Sequence, residues 1–128
     1  MKKRVVRIVV AVLLLGVFFG GAGFGIVLWR IHQSVRNYTK VAQKAHPHPG
    51  NDVAALTEFM NSDAHSLRER NLAVWTLGRL SDATSLTALE SIYTGKPCEH
   101  DTNLCQYELA KAIKRCGGIP NPPPRPTH

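Results

Sequence analysis

Residues 8–29 read IVVAVLLLGVFFGGAGFGIVLW, a run of 22 residues without a charge or a strongly polar side chain. A helix rises about 1.5 Å per residue, so this run spans about 33 Å against about 30 Å of bilayer hydrocarbon. In lipid every backbone group must bond within the segment, so the run is expected to be helical there. Trp29 and Arg30 stand where an interfacial anchor belongs. A cleaved signal peptide is the competing reading. Met1 to Arg7 form a positive start, and Gly20, Gly21 and Ala22 form a small-residue stretch. Residues 23–29, however, prolong the apolar run beyond the usual core of a signal peptide, and no cysteine follows it to accept a lipid. The expectation is an uncleaved signal anchor, with the lipid bilayer as its first partner.

The charges are distributed around this span. Residues 1–50 hold eight basic side chains (Lys2, Lys3, Arg4, Arg7, Arg30, Arg36, Lys40 and Lys44) and no acid. Residues 51–128 hold the other eight basic side chains and all nine acids. The net charge of +7 therefore belongs to the anchor region, where anionic headgroups account for it. The remainder lacks both a basic patch and a stacking platform for nucleic acid, so no nucleic-acid partner is expected. Four basic residues crowd the seven-residue flank 1–7, whereas those after the span are spread from 30 to 44. Positive residues stay cytoplasmic, so the N-terminus is expected inside the cell membrane and the rest of the chain outside the cytoplasm. Within the span Gly16, Gly20 and Gly23 share one helical face, and Gly16–Gly20 and Gly21–Gly25 each make a GxxxG. Such a face admits a second helix at close range, which makes it a candidate membrane-helix contact.

Beyond the span, residues 30–45 continue as a helical stem. Leu28, Ile31, Val35, Tyr38, Ala42 and Ala45 follow the spacing of a coiled-coil seam. The run is short and its alanines make poor seam residues, so a solvated amphipathic stem is the simpler reading. His46-Pro47-His48-Pro49-Gly50 then breaks the helix, because proline removes donors and disfavours helix in the residue before it. Residues 46–50 are read as a linker, since two histidines alone do not complete a metal site.

Residues 51–118 show helical periodicity and no strand alternation. The first helix is expected over Asp52–Asn61, with Val53, Leu56, Phe59 and Met60 apolar. The second opens on Ser66-Leu67-Arg68-Glu69, a capping box, and runs to Leu80. Ala73, Leu77 and Leu80 form its inner stripe. Leu72 and Trp75 make a second apolar edge, the candidate interaction surface. A third helix is expected from Ala83 to Thr94 after a cap at Ser81 or Asp82, with Leu86, Leu89 and Tyr93 inward and Gly95 as its stop. The fourth spans Asn103 to Cys116, with Leu109, Ala112, Ile113 and Cys116 inward, and Gly117 and Gly118 end it. Short connections make neighbours antiparallel. The match of Ala73, Leu77 and Leu80 to Leu109, Ile113 and Cys116 suggests two stacked hairpins. The fold class is therefore all-α: a transmembrane helix with its stem, then about four antiparallel helices.

Residues 70–82, RNLAVWTLGRLSD, resemble the second helix and turn of a HEAT repeat. Ala73, Leu77, Gly78 and Asp82 carry the likeness, and Ser81 stands where glycine often precedes the aspartate. Leu86 and Leu89 match apolar positions of the following helix. The resemblance covers residues 52–118 and is strongest over 66–94. It implies two HEAT-like hairpins and the scaffold or binding role usual for such proteins. No functional residue is carried over from it.

The chain has three cysteines, Cys98, Cys105 and Cys116. Cys105 and Cys116 are eleven residues apart on one helix, about 16 Å, and a disulfide needs Cα atoms within about 7 Å. A Cys98–Cys105 bridge is expected in an oxidising compartment. Cys98–Cys116 remains open if the loop folds back. The rivals are three free thiols, or zinc on Cys98, His100, Cys105 and Cys116, whose spacing fits no paired-knuckle pattern. No catalytic constellation, phosphate-binding glycine loop or cofactor motif is present, so an enzyme is not expected. Residues 119–128 hold five prolines and read as a disordered or polyproline-like tail. The leading expectation is a membrane-anchored interaction module or small subunit of a membrane complex, acting through a protein partner or homo-oligomer. The alternative is an extracytoplasmic thiol- or metal-binding protein using Cys98, His100 and Cys105.

Overall fold

The computed structural model of the chain describes residues 2–99 and 101–121, with side chains from Val10 onward. His100 and tail residues 122–128 lie outside the described residues. The architecture is all-helical, with no strand among the described residues. Five helices follow in order: α1 (Lys2–Ala45), α2 (Asp52–Asn61), α3 (Leu67–Leu80), α4 (Ala83–Ile92) and α5 (Gln106–Arg115). The chain divides into two units, Met1–Ser34 and Val35–His128.

The first unit is the N-terminal part of α1. Its large apolar side chains from Val10 to Trp29 are 48–75% exposed among the described residues. With a mean hydropathy of 2.4 over its apolar window, α1 is long and apolar enough to cross a membrane. The helix starts at Lys2, which extends it through the basic flank.

The second unit begins inside the stretch read as stem, because residues 35–45 belong to its core. Ala42 is fully buried, Thr39 is buried, and Tyr38 packs edge-on to Phe59 with ring centroids 5.8 Å apart. The Tyr38 hydroxyl donates to Glu69 O at 2.6 Å. Tyr38 and Ala42 are thus spent on the chain's own domain, and no coiled-coil seam is left over these turns. Alanine suits Ala42 because the helix must approach the core closely there.

Local signals set the four following helices. The Asn51 side chain accepts from Ala54 N and caps α2. The expected capping box opens α3: Ser66 N donates to Glu69 Oε2 at 2.9 Å, and Glu69 N donates to Ser66 Oγ at 3.4 Å. The Ser66 hydroxyl also donates to Glu69 Oε2 at 2.7 Å, and this bond, followed by the one from Ser66 N, holds the Glu69 carboxyl below its ordinary range. Ser81 closes α3 in the left-handed region, with φ 54°. Asp82 then caps α4 through Thr84 N at 2.8 Å.

Two helix ends differ from expectation, and both have long-range causes. Helix α4 stops at Ile92, because Thr94 N and Oγ1 both donate to the buried Gln106 Oε1, at 2.7 and 3.2 Å. That tie draws the chain away from the helix axis, and Gly95 (φ 67°) lies in the loop beyond. Helix α5 starts at Gln106 instead of Asn103. Thr102 N and Asn103 N are already taken by Glu99 O, at 3.2 and 3.0 Å, in a separate turn.

Helices α2 and α3 pack as one hairpin and α4 and α5 as a second. The hairpins stack through α3 on α5 and α2 on α4. Cys105 N donates to Asn71 Oδ1 at 2.9 Å, and Gly78 faces Ala112 further along, so α3 and α5 run parallel. The core collects Leu56, Phe59, Met60, Ala73, Val74, Leu77, Leu89, Leu109, Ala112 and Ile113 from all four helices. Gly78 sits at the tightest crossing: a Cβ there would stand 2.7 Å from Ala112 Cα and 2.8 Å from its Cβ.

Candidate functional site

Buried residues of α3 are Ala73, Val74, Thr76, Leu77 and Gly78, which leaves Arg68, Leu72, Trp75 and Arg79 on the outer face. Leu72 is 41% exposed and Trp75 half-buried. The Arg79 guanidinium lies over the Trp75 ring, 5.4 Å from its centroid, a stacked cation–π arrangement. Both residues expected to form an interaction edge are therefore at the surface. Helix α5 adds what the sequence reading missed. Tyr107 is 50% exposed, and the Lys111 ammonium lies 4.3 Å from its ring centroid. Lys111 also binds Glu108 Oε1 at 2.9 Å, and this bond is the main cause of its raised pKa. Lys114 and Arg115 are exposed one turn further on. Because α3 and α5 run parallel in contact, their outer faces form one surface. It carries two aromatic rings, each beside its own cation, and an excess of positive charge. A repeated pairing of an aromatic with a cation four residues later (Trp75 with Arg79, Tyr107 with Lys111) was the available signal. It gains meaning only once the two helices are known to be neighbours.

The cysteines form a second candidate. Cys98 Sγ and Cys105 Sγ are 2.7 Å apart, both as free thiols. Cys105 is the N-cap residue of α5 but makes no side-chain cap bond. Cys98 takes that place instead: Tyr107 N donates to Cys98 Sγ at 3.3 Å. Burial, and then the contact with Cys98, push the Cys105 thiol up. Cys116 is separate, buried at the other end of α5 with its Sγ 3.8 Å from Leu77 O, and burial raises its pKa too. The fold brings Cys98 to Cys105 and leaves Cys116 apart, so the Cys98–Cys116 pairing is not formed. Among the described residues no group of three or more His, Cys, Asp or Glu side chains is placed to hold a metal ion. A polar cleft of about 440 Å³ adjoins the loop, lined in part by Arg70, Lys96, Glu99 and Asn103. Its Arg70 is already engaged with Met60 O and Asp63, both at 2.7 Å.

The third candidate is the glycine face of α1. A Cβ built on Gly16, Gly20 or Gly23 would meet nothing within 4 Å. Among the described residues nothing lies against the face expected to receive a second helix.

Comparisons with protein-family models, with curated proteins and with solved structures find no significant match to this chain.

Proposed function

We propose that this protein is a membrane-anchored protein–protein interaction module, a small non-catalytic subunit of a membrane complex. The observation that carries this reading is the joint α3–α5 face, with Leu72, Trp75–Arg79 and Tyr107–Lys111 at the surface. Trp, Tyr and Arg are the side chains that dominate binding energy at interfaces. The surplus of cations there suits an acidic segment on the partner. Helix α1 acts as an uncleaved signal anchor, with the N-terminus cytoplasmic and the helical domain outside. Its glycine face supplies a second contact, with a membrane helix of the same complex or of another copy. The two hairpins are HEAT-like, and their stacking of α3 on α5 and α2 on α4 supports that likeness. Crosslinking and affinity capture from membranes in mild detergent test the proposal. The double variant Trp75→Ser, Tyr107→Ser is expected to stay in the membrane and lose the partner recovered with the native protein. Undiminished capture refutes the assignment of this face.

A second reading is favoured by one observation, the 2.7 Å approach of Cys98 and Cys105. On that reading the chain is an extracytoplasmic thiol protein, with His100 as an added ligand if metal is bound. Zinc analysis together with thiol counting, with and without reductant, separates the two readings.

A further inference from the structure

The turn after α1 is fastened and does not behave as a loose linker. Gln43 grips it: its Nε2 donates to His48 O and Asp52 Oδ1, and its Oε1 accepts from His48 N, all at 2.9 Å. Next to it four titratable side chains from three segments form one chain of contacts. His65, in the loop between α2 and α3, places Nε2 3.0 Å from His46 Nε2. His46 Nδ1 lies 3.0 Å from Glu58 Oε1. The other oxygen of Glu58 meets His48 Nε2 at 2.5 Å. Phe59 holds both rings in place: His65 stacks on it with centroids 3.6 Å apart, and His46 meets it edge-on at 6.0 Å.

Hydrogen bookkeeping limits the states this arrangement accepts. An ionised carboxylate only accepts, so His46 Nδ1 and His48 Nε2 carry the hydrogens that face Glu58. Between His46 Nε2 and His65 Nε2 there is room for one hydrogen. Either a neutral His46 accepts from His65, or a charged His46 donates to a His65 lone pair. With both rings charged, two N–H groups and two positive charges would meet at 3.0 Å, and the contact is lost. Glu58 from α2 meets His46, His48 from the turn shares that carboxylate, Glu69 from α3 feels the charge of His65, and Tyr38 from α1 packs on the same Phe59 ring. Glu69 senses the charge of His65 only as a lesser influence, after its bonds to Ser66. Tyr38 stays neutral throughout, since burial and then Glu69 push it up to about 12.

We propose that the His46–His65 contact is a pH-sensitive latch, closing the end of α1 onto the first hairpin near neutral pH and releasing it in mild acid. The inference does not depend on the interaction reading above. Glu58 is held below its ordinary value of 4.5 by its bonds from His48 and then His46. Its contribution is therefore present above the unfolded value and is lost only as pH falls through the lower folded value. Imidazoles ordinarily titrate near about pH 6.5, well above that window. Opening in mild acid, above the range in which Glu58 takes up its proton, is therefore separable from loss of the carboxylate.

Amide hydrogen exchange of the full chain in detergent micelles, at pH 7.5 and 5.5 and corrected for intrinsic rates, reads the latch directly. Peptides covering residues 36–50 and 60–68 are expected to lose protection at least tenfold in acid, while α5 peptides keep theirs. His65→Gln keeps an N–H donor for His46 without gaining charge, so it is expected to retain protection at pH 7.5 and lose the acid response. Equal wild-type protection at both pH values overturns the latch, as does acid opening that His65→Gln leaves intact. If His65→Gln is already open at pH 7.5 through loss of its stack on Phe59, His46→Gln decides instead. Acid opening that persists in His46→Gln overturns the proposal.

Discussion

Replacing Gly78 by alanine sets two effects of opposite sign against each other. Alanine is a better helix former than glycine by about 1 kcal/mol, so on an exposed helix the change would stabilise. At this crossing the new methyl would stand 2.7 Å from Ala112 Cα and 2.8 Å from Ala112 Cβ, where about 3.5–4.0 Å is the normal separation. The neighbour is backbone and its first side-chain carbon, so no flexible group can swing aside. Helices α3 and α5 must part by roughly 1 Å, and the contacts of Val74, Leu109 and Ile113 loosen along the seam. Overpacking of this kind costs typically about 1–3 kcal/mol, and with a rigid neighbour the upper end applies. After the gain in propensity a net loss of about 1–2 kcal/mol remains. For a domain of this size that is a fall in Tm of about 4–16 °C. The assay is thermal unfolding of the full chain in detergent, followed by the fluorescence of Trp75 on α3. Trp29 in the anchor contributes a background that does not unfold with the domain, and Trp29→Phe removes it. An unchanged or higher Tm for Gly78→Ala would show the propensity term alone, and would refute close packing of α3 on α5.

Leu77→Ala empties a fully buried position and is expected to cost about 2–5 kcal/mol, measured by the same melt; an unaltered Tm would place Leu77 outside the core. Peptide mapping without reduction, on protein taken from its native membrane, is expected to find Cys98 joined to Cys105 and Cys116 free. Three free thiols would exclude the bridge and favour a cytoplasmic domain. The full-length chain is expected to stay with the membrane through high-salt and carbonate washing, whereas release of a shorter chain starting near Gly23 would establish cleavage.

Much of the local structure was legible without tertiary information. The apolar run, the bounds of α2 and α3, the Ser66–Glu69 capping box, the Asp82 cap and the inward stripe of Leu109, Ala112 and Ile113 depend on residues within one or two turns of each other. Propensity, capping and helical period act over that range, so a sequence window contains their causes.

What the tertiary structure decided involves partners far apart in the chain. Tyr38 and Ala42 looked like stem residues until the first hairpin was there to cover them. The end of α4 depends on Gln106, twelve residues beyond Thr94. The Trp75–Arg79 and Tyr107–Lys111 pairs become one surface only through the parallel packing of α3 and α5. His46 and His48 read as linker residues because Glu58 and His65, which engage them, lie on other elements. In each case the deciding contact is a hydrogen bond or a packing surface between segments with no shared periodicity. Its free energy appears only when folding has brought them together, so no local pattern records it.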